Sequence, residues 1–174
     1  MAQTLWGIKD GTEGKPNWLT EDQKTRTYAS NGGWVLRHNN GIEETLVSIA
    51  NLRIRLGSAN ITEIRFVSGT YTAGGTKSVR VSFNEAVTVT GSPTLVVTGS
   101  VSGSVTATYS SMLNANTAVF TFTVPAAGQT LSVGTQTIAL NGGTVVDANS
   151  SPSVNSTLTI GAAALANTGT KTTV

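Results

Sequence analysis

From about residue 60 onward, apolar and polar positions alternate with a period of two, in short runs separated by Gly, Asn, Pro and Ser. In Ser78-Val79-Arg80-Val81-Ser82-Phe83, an extended chain places Val79, Val81 and Phe83 on one side and Ser78, Arg80 and Ser82 on the other. The runs are rich in β-branched and aromatic residues, which fit a pleated surface better than a helix. Strands are predicted at 61–67, 78–83, 87–89, 95–97, 105–109, 119–122, 138–140 and 158–160, a number and spacing suited to a β-sandwich. Gly74-Gly75, Gly91-Ser92-Pro93, Ala127-Gly128 and Asn141-Gly142-Gly143 supply the turns, and Asn141-Gly142 suits a tight one.

The first 60 residues follow another rule. Thr20-Glu21-Asp22-Gln23 has the order of a capping box, Thr followed by Gln three later. It predicts a short helix running to Tyr28 and stopped by Asn31-Gly32-Gly33. Apolar runs at 34–37 and 44–56 suit strands, while 42–52 equally suits a short amphipathic helix. Residues 162–174 are small and polar with little to bury, which predicts a flexible tail. The chain therefore divides into an α+β segment at 1–60, an antiparallel β-sandwich at 61–161 and a tail at 162–174, a mainly β protein.

Charge sharpens the first boundary. Residues 1–65 hold 8 of the 11 Lys and Arg, 7 of the 9 Asp and Glu, and all three tryptophans, Trp6, Trp18 and Trp34. A net charge of +2 leaves no dense basic face for a nucleic acid. The absence of cysteine removes disulfides, thiol nucleophiles and cysteine-ligated metals together. No run approaches the roughly 20 apolar residues of a membrane span, and MAQTLWGIKDGTEGK lacks the basic-then-apolar order of a signal peptide. The expectation is a protein made and folded in a cytoplasm, without a membrane partner.

Little in the sequence suits catalysis. His38 is the sole histidine, so any Ser-His-Asp or Cys-His arrangement passes through it, and its neighbours Arg37 and Asn39 supply none of the other parts. It reads as a turn residue or an interface contact. Asp10 with Glu13, and Glu43 with Glu44, read as solvated or salt-bridged charge, since catalytic carboxylate pairs need a cleft that perturbs them. Asp147 and Asn149 follow a Gly-Gly turn and, with Glu85, offer oxygen ligands of the kind calcium takes; the alternative is an Asx turn in which the side chain caps backbone amides. The stretch from Gly69 to Gly75 lacks the Lys-Ser/Thr ending of a phosphate-binding loop. No catalytic residue, cofactor or metal is expected. The three tryptophans must bury against each other, against the sandwich or against another chain, and Trp18 and Trp34 sit beside turn-forming residues. Trp6, Lys15, Trp18, Trp34 and Arg37 are the candidate partner-binding residues.

The segment Val81-Ser82-Phe83-Asn84-Glu85-Ala86-Val87-Thr88-Val89-Thr90-Gly91-Ser92-Pro93-Thr94-Leu95 resembles the opening of a bacterial Ig-like repeat of the surface-protein type. Ala107-Thr108-Tyr109-Ser110, then Ala118 to Val124 with Gly128, then Leu140 to Ala148 are similar to the later blocks of that family, in order. The resemblance implies an Ig-like sandwich over about 76–160 and says little of function. Glu13 to Leu19, followed by Gly33 to Arg37, looks like small structural proteins of cyanophages and related tailed phages. A nearly uncharged sandwich surface, poor in the Lys residues that protect strand edges, suits lateral packing into a homo-oligomer, with a trimer expected from shell symmetry. The resemblance to phage proteins implies a virion protein, a capsid decoration or cement protein that binds the major capsid protein. Its residues 1–60 would grip the shell. The rival expectation is a tail-fibre or surface adhesin module that binds host glycans.

Overall fold

The computed structural model describes residues 15–150 and 153–174. Its period-two runs do form strands. β4 (Ile61–Phe66), β5 (Thr76–Phe83), β7 (Thr94–Gly99), β8 (Gly103–Asn114), β9 (Thr117–Thr123) and β10 (Thr130–Ser132) build one antiparallel sheet, completed by β14 (Lys171–Thr172), in the order β14-β10-β7-β8-β9-β5-β4. Opposite it lie two ribbons, β6 (Val87–Thr90) with β12 (Thr144–Asp147), and β11 (Gln136–Thr137) with β13 (Thr159–Ile160). Val79, Val81, Leu95, Val97 and Phe120 from the large sheet meet Val87, Val145, Ile138 and Ile160 in one core. The architecture is thus a mainly β, sandwich-like packing of antiparallel sheets.

The core is reinforced at one end by aromatic side chains. Phe66 stands edge-on to Tyr71 with centroids 6.0 Å apart, and both contact Phe122 at 6.4 Å. Tyr71 keeps its polar end satisfied by donating from its hydroxyl to the Val67 carbonyl at 2.6 Å. Local turn chemistry behaves as expected at Asn141-Gly142, where both residues have positive φ, 49° and 81°, and Gly143 N–H donates to the Leu140 carbonyl at 2.8 Å. The run at 138–140 differs from its prediction: Ile138 N–H donates to the Leu158 carbonyl, and Ala139 exchanges two backbone bonds with Thr94 as an isolated bridge rather than a strand.

Ahead of the sandwich, the capping box is real. Thr20 accepts from the Gln23 amide and the Gln23 side chain accepts from the Thr20 amide, starting helix α1 (Glu21–Thr25). The helix stops sooner than predicted, because β1 (Thr27–Ser30) begins at once and pairs with β2 (Gly33–Arg37). Asn31-Gly32-Gly33 is therefore the turn of a hairpin, not a helix stop. Gly33 sits at φ 132°, and a Cβ there would collide with the Val47 carbonyl oxygen. The 42–52 ambiguity resolves as β3 (Glu43–Ser48), paired to β2, followed by helix α2 (Leu52–Leu56). Trp34, Ala29 and Leu52 form a second, small core between these elements.

Residues 162–174, expected to be a flexible tail, are instead tied down. Helix α3 (Ala162–Leu165) packs Ala164 into the main core, and Thr168 donates to the buried Ile64 carbonyl at 2.8 Å. β14 pairs with β10, and Val174 N–H donates to the Tyr71 carbonyl at 2.9 Å. Small polar residues suffice here because the sheet edge supplies backbone partners.

The hairpin sheet is stitched to the sandwich by buried hydrogen bonds. Asn116 donates through Nδ2 to the carbonyls of Thr27 at 3.1 Å and Phe83 at 2.8 Å, and Thr117 donates to the Thr25 carbonyl at 2.8 Å. Asn116→Ala leaves two buried carbonyls short of a donor and is expected to cost about 1–3 kcal/mol, read as a lower midpoint in urea unfolding with an unchanged slope.

Candidate functional site

The chain crosses from the large sheet to the β6–β12 ribbon at Asn84-Glu85-Ala86, and this corner receives the hairpin sheet. Ala29 N–H donates to the Asn84 carbonyl at 2.7 Å, which brings β1 alongside Glu85. Glu85 is 1% exposed. Beside it lies Asp147 at the end of β12, whose Oδ1 accepts from the Asn149 amide at 2.8 Å. That is the Asx turn weighed against calcium from the sequence. Among the described residues no group of three or more His, Cys, Asp or Glu side chains is arranged to hold a metal ion.

Among the described residues neither Glu85 oxygen receives a hydrogen bond from a donor group, and its neighbour Asp147 is itself an acceptor. A proton resolves the conflict: protonated Glu85 can donate to Asp147. Burial first, then the Asp147 charge, push the Glu85 carboxyl up to about 8, opposed by Arg53 on α2.

A second feature lies on the other side of the joint. A cleft of about 390 Å³ is lined by Asp22, Thr25 and Arg26 of α1 and its end, by Arg37, His38, Asn39 and Gly41 of the β2–β3 turn, and by Arg80, Leu113 and Asn114 of β5 and β8. The turn is fixed by backbone bonds from His38 to Ile42 at 2.8 Å and from Gly41 to His38 at 2.9 Å. Arg26 is held by the Asp22 carboxylate and donates to the Arg37 carbonyl at 3.0 Å. His38 meets Glu44 at 2.8 Å. Among the described residues, neither Arg37 nor Arg80 has a carboxylate within ion-pair distance, although Glu43 stands opposite Arg37 in the strand register.

The five residues singled out from the sequence separate on folding. Trp6 lies outside the described residues. Lys15 turns inward and donates to the Lys24 carbonyl at the end of α1 at 2.6 Å; burial lowers its ammonium to about 7, against the pull of Glu63. Trp34 is only 1% exposed and belongs to the small core, which removes it as a partner contact. Trp18 remains 50% exposed, and Arg37 is exposed on the cleft. The sequence reading missed Arg26 and Arg80 because they lie 54 positions apart and meet only through the joint.

The Glu85 pair makes stability depend on pH with a definite sign. Between about 4.5 and 8 the native protein keeps a proton that the unfolded chain has released, so stability falls as pH rises through that window. Glu85→Gln removes this dependence. The variant is expected to match the parent at pH 5 and to melt at a higher temperature at pH 9, measured by thermal unfolding across the range.

The chain matches no family model, and comparison with curated proteins and with solved structures returns no significant match, so the functional reading rests on geometry and sequence resemblance.

Proposed function

We propose that this protein is a virion structural protein, a capsid decoration protein that binds the major capsid protein of a phage head through the segment ahead of its sandwich. The observation that carries this reading is the exposure of three large apolar side chains in that segment: Trp18, Ile42 and Ile54 are 50%, 62% and 66% exposed. They stand before α1, in the β2–β3 turn and on α2, and large apolar side chains left in water suit a protein interface, where buried aromatic and aliphatic anchors supply most of the binding energy. The resemblance of 13–19 and 33–37 to small phage structural proteins supports the same partner.

The mechanism is mass action. A protein that binds only the assembled shell stabilises it by RT ln(1 + [L]/Kd), about 2.7 kcal/mol per site at 100-fold excess over Kd. A rigid joint helps, because anchors held in place before binding lose less freedom on docking.

The triple variant Trp18→Ala, Ile42→Ser, Ile54→Ser is expected to keep its melting temperature within a few degrees and to lose at least tenfold in occupancy of purified capsids lacking the protein. Equal occupancy by the variant would overturn the assignment of these side chains as the anchors, and parent protein that labels host cells and not shells would overturn the proposal in favour of an adhesin.

A further inference from the structure

The cleft between the hairpin segment and the sandwich carries a charge arrangement that the fold alone does not require. Its walls bring together Arg26, Arg37 and Arg80, with Asp22 as the one acidic residue on the lining among the described residues. Like charges gathered in one concavity repel unless an anion joins them. Asp22 offsets the charge of Arg26, whose Nη1 donates to the Arg37 carbonyl while its buried Nε finds no partner among the described residues. Among the described residues Arg37 and Arg80 make no side-chain hydrogen bond or ion pair, although Glu43 stands opposite Arg37 in the strand register, and both arginines line the cleft. Arg80 is notable for its origin, since residues 66–174 contain only three basic side chains, Lys77, Arg80 and Lys171. A sandwich this poor in charge has placed one of its few cations on the cleft wall.

We propose that the cleft receives a carboxylate-bearing side chain from an acidic peptide segment of the partner, with Arg37 and Arg80 as its two guanidinium forks. A guanidinium presents paired N–H donors in the geometry of a carboxylate, and within the same cleft the Arg26 guanidinium already holds the Asp22 carboxylate through one of its donors. The volume, about 390 Å³, is that of a side-chain or small-ligand site and not of an extended groove. Leu113 offers one aliphatic wall, which suits an acidic residue with an aliphatic neighbour. Among the described residues no Trp, Tyr or Phe lines the cleft, so these walls offer no platform on which a nucleobase could stack and none of the aromatic surface usual in small-ligand pockets. This deepens the attachment reading and rests on it for the identity of the partner only.

Titration calorimetry of the full-length chain at low ionic strength tests the site with three probes: acetyl-Glu-Leu-Glu-amide, acetyl-Gln-Leu-Gln-amide and inorganic phosphate. The glutamate peptide is expected to bind at least tenfold more tightly than the glutamine peptide or phosphate, and to weaken as salt is added. Arg37→Gln and Arg80→Gln are each expected to lower its affinity about tenfold, while Arg80→Lys, a point charge without the fork, retains part of it. Unchanged melting temperatures would show that these surface substitutions leave the fold intact. Equal binding of the two peptides, preference for phosphate, no binding of any probe, or indifference to both arginine substitutions would overturn the proposal. Peptide binding without capsid occupancy would keep the carboxylate site and reject the shell as its partner.

Discussion

The hydrogen bonding of the corner at Asn84-Glu85-Ala86 governs how the parts of this molecule fit together. A chain that leaves one sheet for another inside a core must still satisfy its backbone groups, since each one left unpaired costs as much as a lost hydrogen bond. Here the partners come from every side. Phe83 donates to Asn116, Asn84 donates to Asn60 and accepts from Ala29, and Ala86 accepts from Ala148. The Asn84 side chain accepts from the Asn60 amide as well. Satisfying one corner thus fixes the hairpin sheet, the entry to β4 and the turn after β12 relative to one another.

That fixation has an electrostatic consequence. Glu85 and Asp147 are the only acidic residues after Glu63, and the corner brings these two together. Burial excludes the water that would otherwise keep both ionised, so a proton takes the place of a counter-charge. On the outer side of the same joint the situation is reversed. Arginines from three elements line one cleft at the surface, where solvent tolerates them. Inward acid and outward base both follow from docking a charged segment against a nearly uncharged sandwich.

The segment's apolar residues divide in the same way. Trp34 follows the hairpin turn and points into the space between β1, β2 and α2, where Ala29 and Leu52 enclose it. Trp18 lies before α1, next to Pro16 and Leu19, which are both buried while it is not. Two tryptophans with similar turn-rich surroundings in sequence therefore end in opposite environments. Lys15 likewise looked like a surface cation and instead caps the end of α1.

What the amino-acid sequence determined by itself was local: period-two runs became strands, the Thr20–Gln23 capping box began a helix, and Asn141-Gly142 made a tight turn. These depend on interactions between residues a few positions apart, so their causes are written in short words of sequence. The tertiary structure alone decided where the last 13 residues went, since their partners on β10 and at Tyr71 lie far away in the chain. It also decided which tryptophan was covered, which two carboxyls met and which arginines shared a cleft. Burial and charge proximity are properties of packing between distant segments. No spacing between Glu85 and Asp147, or between Arg37 and Arg80, announces them in advance.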